Sequence, residues 1–336
     1  MRGEDLVIVD AHEDIASHCL ERERSYFRRG DWMVSFEDHL DAPVSLVFAT
    51  LFVPRQYKPY RSQEIAKLQL SFYRELEEES KGRVVLVRNL PELEALLTHN
   101  RKHPERGKRK VGMVILMEGA DPIGHPGLAD YWRGQGVSIV GLTWANPNAY
   151  AVGNDYPDGP GLTPAGRQLL ILMKKAGLIL DTSHLNQRSF FEALQVWDQS
   201  EGELPVIASH SNAAAIYEHP RNLSDAQLRM IAERGGVVGL VLYDAFIAED
   251  RHTNLNDLYA HLEHMVEVMG VDHVGIGSDF DGGITAENSP DPFRTVADLP
   301  KLADYLADKR GWEEADIKKL MGENWLRVLR RAWGKS

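Results

Sequence analysis

The sequence contains a single cysteine, Cys19, in 336 residues. An intrachain disulfide therefore cannot form, and the chain does not depend on an oxidising compartment. A zinc site built from several thiolates is excluded for the same reason. Histidine and carboxylate side chains are thus the candidate ligands for any metal ion that this chain binds.

The sequence also lacks a long hydrophobic run and an excess of positive charge. No apolar stretch approaches the ~20 residues that cross a bilayer. The N-terminus shows no basic segment followed by an apolar segment and a cleavage site. We therefore expect a cytoplasmic protein without a membrane partner. The net charge of −12 disfavours a nucleic-acid partner, because a negative surface repels phosphate groups.

Eight short apolar runs alternate with segments of helical pattern along the chain. The runs span residues 6–10, 44–52, 111–117, 137–143, 177–181, 205–209, 236–243 and 273–278. Continuous apolar runs are typical of strands that are buried on both faces of a parallel sheet. Helix start and stop signals predict helices over residues 62–79, 164–175, 225–234 and 256–269.

This alternation predicts an α/β fold, a single distorted (β/α)8 or TIM barrel over residues 1–336. A doubly wound open sheet is the alternative. Its usual sign is a glycine-rich phosphate loop after the first strand, whereas residues 10–14 of this chain read Asp-Ala-His-Glu-Asp. Catalytic groups of a barrel lie at the C-terminal ends of its strands, so a metal site is expected there.

Polar residues directly follow most of these runs. The candidates are His12, Asp14, Glu118, Thr143, Trp144, Asp181, His184, His210, Tyr243, Asp244, Asp279 and Asp281. Histidine together with aspartate and glutamate suits Zn²⁺ or another borderline-to-hard divalent ion. Three histidines and two carboxylates exceed the three protein ligands of one catalytic zinc. The surplus favours two ions about 3.5–4 Å apart that share a carboxylate and a water.

Each of these residues also has a simpler interpretation. A lone histidine at a strand end is usually only hydrogen-bonded, and Asp14 could cap a helix that begins near Ile15. Asp181 could merely orient His184 or cap a turn. Glu118 is harder to explain without a ligand role, because a buried and unpaired carboxylate is costly. The coincidence of five such groups at predicted strand ends favours a metal site.

Several motifs resemble the membrane (renal) dipeptidase family of metallopeptidases. They are DAHED (residues 10–14), MEGAD (117–121), DTSH (181–184), SHSNA (209–213) with HPRN (219–222), and GIGSDFDG (275–282) with GENWLRV (322–328). They occur in the family's order over nearly the whole chain. The resemblance implies an amidohydrolase-like barrel with two zinc ions, which hydrolyses dipeptides and tolerates a D-residue at the C-terminal side. It also implies a homodimer.

The resemblance assigns metal ligands position by position. It implies that His12 and Asp14 hold the first zinc ion and that His184 and His210 hold the second. Glu118 would bridge the two ions together with a water. Zinc follows from the ligand types and from the resemblance, and manganese or cobalt is the alternative.

The resemblance also assigns substrate contacts. It implies that Arg221 binds the free carboxylate of the substrate and that Asp279 is the catalytic acid/base, while Asp281 is expected to be structural. Trp144 is a departure, because well-studied members have a histidine there that contacts the scissile carbonyl. Tryptophan has one N–H donor and cannot become a cation. We therefore expect Trp144 to donate one hydrogen bond to the substrate or to stack on it.

The departure at Trp144 keeps two other functions open. A two-metal barrel hydrolase could act on another small amide, a lactam or a lactone. A binding protein or pseudoenzyme could keep the metal after losing catalysis, but the complete ligand set and Asp279 argue against this interpretation.

Overall fold

Across residues 6–334, which this computed structural model describes, nine strands pair with one another in parallel. They are β1 (Ile8–Glu13), β2 (Val44–Phe52), β3 (Val84–Leu86), β4 (Val111–Glu118), β5 (Val137–Gly141), β6 (Ile179–Asp181), β7 (Val206–Ile207), β8 (Val238–Leu240) and β9 (Val274–Ile276). Nearly all of their residues are buried, as continuous apolar runs predict. Each of the eight predicted runs overlaps one strand, and β3 is additional.

Eight of the strands close into a barrel. Hydrogen-bonded neighbours follow the order β7-β6-β5-β4-β2-β1-β9-β8. A parallel bridge between Ala208 and Val238 joins the two ends of that order. The strands therefore follow one another around the barrel in chain order, as in a (β/α)8 fold. The prediction of a TIM barrel is confirmed, and the open-sheet alternative is wrong.

The short strand β3 was not predicted from the sequence. It pairs with residues 111–113 of β4, whereas β5 pairs with residues 115–117 of the same strand. Because β2 occupies the other edge of β4 along residues 112–118, β3 and β5 share one edge. Residues 84–87 read Val-Val-Leu-Val, a short apolar run that the prediction of eight strands left out.

Between and after the strands, the described chain forms thirteen α-helices. They are α1 (Ile15–Glu21), α2 (Phe36–Asp41), α3 (Ser62–Glu79), α4 (Leu90–Lys102), α5 (Ala129–Gly134), α6 (Pro164–Lys175), α7 (Gln187–Gln199), α8 (Asp225–Glu233), α9 (Asp244–Ile247), α10 (Leu255–Met269), α11 (Pro300–Arg310), α12 (Glu314–Lys318) and α13 (Asn324–Trp333). The four predicted helices correspond to α3, α6, α8 and α10. Thr163 caps α6 by accepting a hydrogen bond from the Gly166 N–H. None of the helices within residues 6–334 combines the length and the hydropathy needed to cross a bilayer.

The inside of the barrel is filled by side chains. Val9, Leu46, Val114 and Ile179, which come from four strands, belong to one apolar cluster with Trp325 of α13. The indole N–H of Trp325 donates to the carbonyl of Ile276 at 3.0 Å. Because the interior is packed rather than open, substrates must approach from an end of the barrel.

The backbone of Ser209, just after β7, lies very close to the backbone of Gly239 in β8 and of Gly277 after β9. A Cβ atom built at Gly239 or Gly277 would lie 1.9 or 1.8 Å from the carbonyl oxygen of Ser209. Only glycine fits in such close approaches. The backbone of Ser209 is thereby held tightly at the C-terminal end of the barrel.

Candidate metal centre

The barrel brings the predicted metal ligands to one place, with Asp279 beside them. His12 lies near the end of β1, and Glu118 is the last residue of β4. His184, His210 and Asp279 lie in the segments that follow β6, β7 and β9. All of these positions are C-terminal ends of parallel strands, so closure of the barrel gathers them at one mouth.

The carboxylate of Glu118 lies at the centre of this cluster. Its Oε1 atom is 3.6 Å from His12 Nε2, 2.8 Å from His184 Nε2 and 3.7 Å from His210 Nε2. Asp14 Oδ2 lies 3.8 Å from His12 Nε2. Two groups of donors share Glu118, one with His12 and Asp14 and one with His184 and His210. Within each group the donor atoms lie within 4.8 Å of one another.

The donor atoms of both groups are of the kinds that bind divalent cations. His12 Nε2 is buried and has no hydrogen-bond partner among residues 6–334, although buried polar atoms are normally paired. His184 Nε2 and His210 Nε2 face each other at 3.0 Å. A cation in each group would satisfy these nitrogen atoms and the carboxylates together. A shared carboxylate, which has two oxygen atoms, is also suited to two neighbouring ions.

The charges of the cluster perturb one another strongly. Burial opposes the charge on His12, but the carboxylates of Glu118, Asp14 and Asp279 outweigh burial and raise the pKa of His12 to about 10. Burial and the charge of Glu118 raise the pKa of Asp14 to about 7. Burial also raises the pKa of Asp279 well above its usual value. Buried carboxylates with such perturbed pKa values are typical of functional sites.

The imidazoles of His184 and His210 are held in the neutral form. Burial lowers the pKa of His184 to about 4, and the Arg221 guanidinium adds to this effect. Burial and the charge of His12 lower the pKa of His210 well below its usual value. Because a histidine must be neutral to bind a metal, both side chains are suited to that role at neutral pH.

Asp14 occupies the N-cap position of α1 without acting as a cap. Its side chain makes no capping hydrogen bond within the described chain. Instead, its Oδ1 atom accepts a hydrogen bond from the Thr50 hydroxyl at 2.5 Å. The capping interpretation of Asp14 is therefore wrong, and this bond leaves its Oδ2 atom to the cluster.

Asp281, two residues beyond Asp279, has structural contacts. Its carboxylate accepts hydrogen bonds from Arg24 Nη2 at 2.5 Å and from the Met33 N–H at 2.9 Å. The side chains of Arg24 and Asp281 are both almost fully buried. These bonds tie the loop after β9 to the segment that follows α1.

Two residues of the cluster have a strained backbone. The φ angle is +67° at His184 and +66° at Asp279, in the left-handed region that non-glycine residues rarely adopt. Such strain persists only where the surroundings impose it, and it concentrates at functional sites. Asp281, which has structural contacts, shares this conformation with a φ of +64°, so the strain shows that these backbones are held by their surroundings.

A cavity of about 600 Å³ borders the cluster. Its lining includes Asp14, Phe52, Glu118, Trp144, His184, Tyr243, Phe246 and Asp279. The Trp144 ring lies 5.4 Å from Phe52, edge to face, and 6.0 Å from the ring of His184. This volume suits a small ligand. Another cavity, of about 690 Å³, lies at the opposite end of the barrel beside Ser45 and Asn324, away from the converging donor atoms.

Arg221 approaches the cluster from the loop before α8 and lines, with His184, another cavity of about 490 Å³. Its side chain is almost fully buried, and its Nη2 atom donates to the carbonyl of His210 at 2.8 Å. Its guanidinium lies 5.4 Å from the ring centre of Phe246. Its Nε atom has no hydrogen-bond partner among the residues described. A buried guanidinium with an unpaired N–H is suited to bind an anionic group.

Sequence reasoning missed the side chains that support the candidate ligands. The Ser209 hydroxyl lies 3.1 Å from His12 Nδ1 and 2.8 Å from His210 Nδ1. Asn154 Oδ1 lies 3.3 Å from His184 Nδ1. Ser209 directly precedes His210 in the SHSN motif, but nothing local indicates its contact with His12, which is 197 residues away.

Comparisons with known proteins identify the family of this chain. The family model for membrane dipeptidase, peptidase family M19, matches residues 3–334. The "uncharacterized protein in pqqA 5'region" of Klebsiella pneumoniae is 36% identical over 277 residues, which are 79% of this chain and 95% of that protein. An uncharacterized dipeptidase of Schizosaccharomyces pombe is 31% identical over 235 residues, which are 67% of this chain but only 54% of that protein.

A solved structure has the same fold over its whole length. It is a metallopeptidase from Rhodobacter sphaeroides, liganded with a phosphinate mimic of the dipeptide L-Ala-D-Ala. Its TM-score is 0.85 at 27% identity, and the match covers 98% of this chain and 100% of that chain. Since the family model spans nearly all of the sequence, this chain is a hydrolase that belongs to the membrane dipeptidase family of metallopeptidases.

Proposed function

We propose that this chain is a dipeptidase that uses two zinc ions to hydrolyse the amide bond of dipeptides. One observation carries the proposal: two groups of metal-binding side chains share Glu118 and lie beside Asp279. The adjoining cavity of about 600 Å³ offers room for a small substrate. Membership of the family supports the same activity.

The proposed ligands form two pairs and a bridge. His12 and Asp14 would hold one ion, His184 and His210 the other, and Glu118 would bridge them with a water. When bound, the ions supply Lewis acidity to a carbonyl oxygen and lower the pKa of a water from 15.7 toward about 7. Burial opposes the charge of Glu118, but His12 and His184 outweigh it and lower the pKa of Glu118, so the bridging carboxylate stays ionised.

Asp279 is the proposed acid/base. Its Oδ1 atom lies 3.7 Å from His12 Nε2, and the residue lines the cavity. Its carboxylate would accept a proton from the attacking water while the new C–O bond forms. The same proton would pass to the leaving amine as the C–N bond breaks, which returns Asp279 to its starting state.

Arg221 is the proposed anchor for the substrate carboxylate. Its planar guanidinium can form a bidentate pair that a lysine ammonium cannot. The bond from Nη2 to the His210 carbonyl holds the guanidinium beside the cluster and leaves Nε unpaired. An anchor at a fixed distance from the reacting amide would restrict substrates to very short peptides.

A panel of dipeptides tests the proposed activity. Zinc-loaded protein would be assayed with L-Ala-L-Ala and L-Ala-D-Ala, with chelator-treated protein as the control. We expect zinc-dependent release of free alanine from both substrates. The D-residue is included because the Rhodobacter sphaeroides relative is liganded with a mimic of L-Ala-D-Ala. Failure of fully zinc-loaded protein to cleave any dipeptide would contradict the proposal.

Trp144 is expected to act through its ring. The indole packs against Phe52 on the cavity wall, where it can cover an apolar substrate side chain. Trp144→Ala should raise KM for apolar dipeptides about tenfold, which corresponds to 1.4 kcal/mol of lost binding. Trp144→Phe is the matched control, since it keeps a ring and should retain a KM near wild type. If both variants lower kcat equally, the indole N–H is the important group instead.

A second candidate function follows from the same residue. With Trp144 where the resemblance places a histidine, the site could instead hydrolyse another small amide, a lactam or a lactone. Adding a lactam and a lactone to the panel separates the two candidates. A higher kcat/KM for a cyclic substrate than for every dipeptide would favour this alternative.

We propose that residues 1–336 form a single hydrolase domain that works in the cytoplasm and assembles as a homodimer. Sedimentation of the zinc-loaded protein measures the assembly state directly.

A further inference from the structure

A single buried hydroxyl contacts both proposed ion sites. Ser209 Oγ lies 3.1 Å from His12 Nδ1 and 2.8 Å from His210 Nδ1. It also donates a hydrogen bond to Asp181 Oδ2 at 2.6 Å. All four side chains are buried. Because His12 and His210 are proposed ligands of different ions, Ser209 touches one ligand of each.

The contacts of Asp181 determine where the hydroxyl proton lies. Its Oδ1 atom accepts the backbone N–H groups of Ser183 at 3.0 Å and Ser209 at 2.9 Å. Its Oδ2 atom accepts the Ser209 hydroxyl. A carboxylate only accepts hydrogen bonds and a hydroxyl has one proton to donate. The proton therefore points to Asp181, and the oxygen lone pairs of Ser209 remain for the two imidazoles.

We propose that Ser209, oriented by Asp181, is a positioning residue that sets the tautomer of both His12 and His210. A histidine that binds a metal is neutral and carries one N–H. If that N–H is on Nδ1 and donates to Ser209, the Nε2 atom of each ring presents its lone pair to the cluster. The hydrogen bond at one ring nitrogen fixes which nitrogen is free for a metal. This inference rests on the proposed two-ion centre, and it makes the two ion sites depend on one hydroxyl.

The first test removes the hydroxyl. Ser209→Ala should weaken zinc binding 10–100-fold at both sites, the usual effect of losing a residue that orients metal ligands. The two dissociation constants would be measured by competition with a fluorescent chelator. Ser138→Ala is the matched control, because it deletes a buried hydroxyl that has no hydrogen-bond partner in the described chain. It should leave both constants unchanged.

A second variant tests the direction of the proton. In Asp181→Asn, the amide oxygen is needed by the two backbone N–H groups, so the NH₂ group faces Ser209 and donates to it. The nearest acceptors for the hydroxyl proton are then His210 Nδ1 at 2.8 Å and His12 Nδ1 at 3.1 Å, both closer than Ser183 Oγ at 3.4 Å. The proton therefore turns to one imidazole, and that ring takes the Nε2–H tautomer. We expect Asp181→Asn to weaken one zinc site at least tenfold and to leave the other near wild type, unlike Ser209→Ala.

The outcomes separate this inference from the proposed activity. The role of Ser209 would be overturned if Ser209→Ala binds both zinc ions with wild-type affinity. It would also be overturned if Asp181→Asn weakens both sites equally. A wild-type protein that binds fewer than two zinc ions would overturn the two-ion centre and this inference together. A protein that binds two ions but cleaves no dipeptide overturns the dipeptidase proposal alone. Circular dichroism confirms that each variant is folded.

Discussion

Asp279→Asn is expected to lower kcat for dipeptide hydrolysis by about 10²–10⁴-fold, the usual contribution of general acid–base catalysis. The amide cannot take a proton from the attacking water or pass one to the leaving amine. Because the amide has nearly the same shape as the carboxyl group, KM should change little. Steady-state kinetics of the zinc-saturated variant measure both constants.

Zinc content distinguishes acid/base catalysis from metal binding at Asp279. This residue forms a third group of possible ligands with His12 and His210. Two bound ions combined with lost turnover would support the catalytic role. Loss of an ion would instead identify Asp279 as a ligand and contradict the proposed role.

Asp281→Asn is the matched control, because it changes a carboxylate in the same loop. Asp281 pairs with the buried Arg24, and breaking a buried ion pair costs about 3–5 kcal/mol of stability. We expect a lower free energy of unfolding but a kcat near wild type for the folded fraction. Denaturant titration measures the first quantity.

Arg221→Lys is expected to lower kcat/KM for a dipeptide about 10²-fold. A lysine ammonium is a point charge that cannot reproduce the bidentate contact of a guanidinium with a carboxylate. A hydrogen bond to a charged group contributes about 1.5–3 kcal/mol. This range includes the free energy that corresponds to a 10²-fold loss of kcat/KM. Initial rates at low substrate concentration measure this ratio.

The substrate itself provides the control for Arg221. The wild-type enzyme should prefer a dipeptide with a free carboxylate over the same dipeptide with a C-terminal amide. Arg221→Lys should reduce that preference about 10²-fold, because the amide never gains the charged contact. An unchanged preference would exclude Arg221 as the anchor. Zinc content must be checked as well, since Arg221 also donates to the His210 carbonyl.

The fold was largely predictable because its signals are local. Each buried strand needs a continuous apolar run, and α6 shows its cap at Thr163 in the sequence itself. The strand β3 was missed although it lies in a short apolar run, and it pairs with β4 outside the ring of eight strands. The closing bridge between Ala208 and Val238 is likewise a contact between distant parts of the chain.

The residue types of the candidate site could be predicted from the sequence, but the contacts between them could not. The polar ends of the strands and the family motifs identified Glu118 and the residues around it. The residue type alone could not decide whether Asp14 caps α1 or faces the cluster, because an aspartate is suited to both roles. The hydrogen bond from the Thr50 hydroxyl to Asp14 Oδ1 shows that Asp14 faces the cluster, and Thr50 lies on a different strand.

By itself, the sequence determined the barrel, the family and the set of side chains that could bind metal, because these follow from local patterns and motifs. The family resemblance had already assigned Glu118 a position between two ligand pairs. Only the tertiary structure decided the distances from Glu118 to the histidines and the contacts of Ser209 with both His12 and His210. These contacts join residues from different strands. They exist only after the barrel closes, since no local sequence pattern encodes the distance between strand ends.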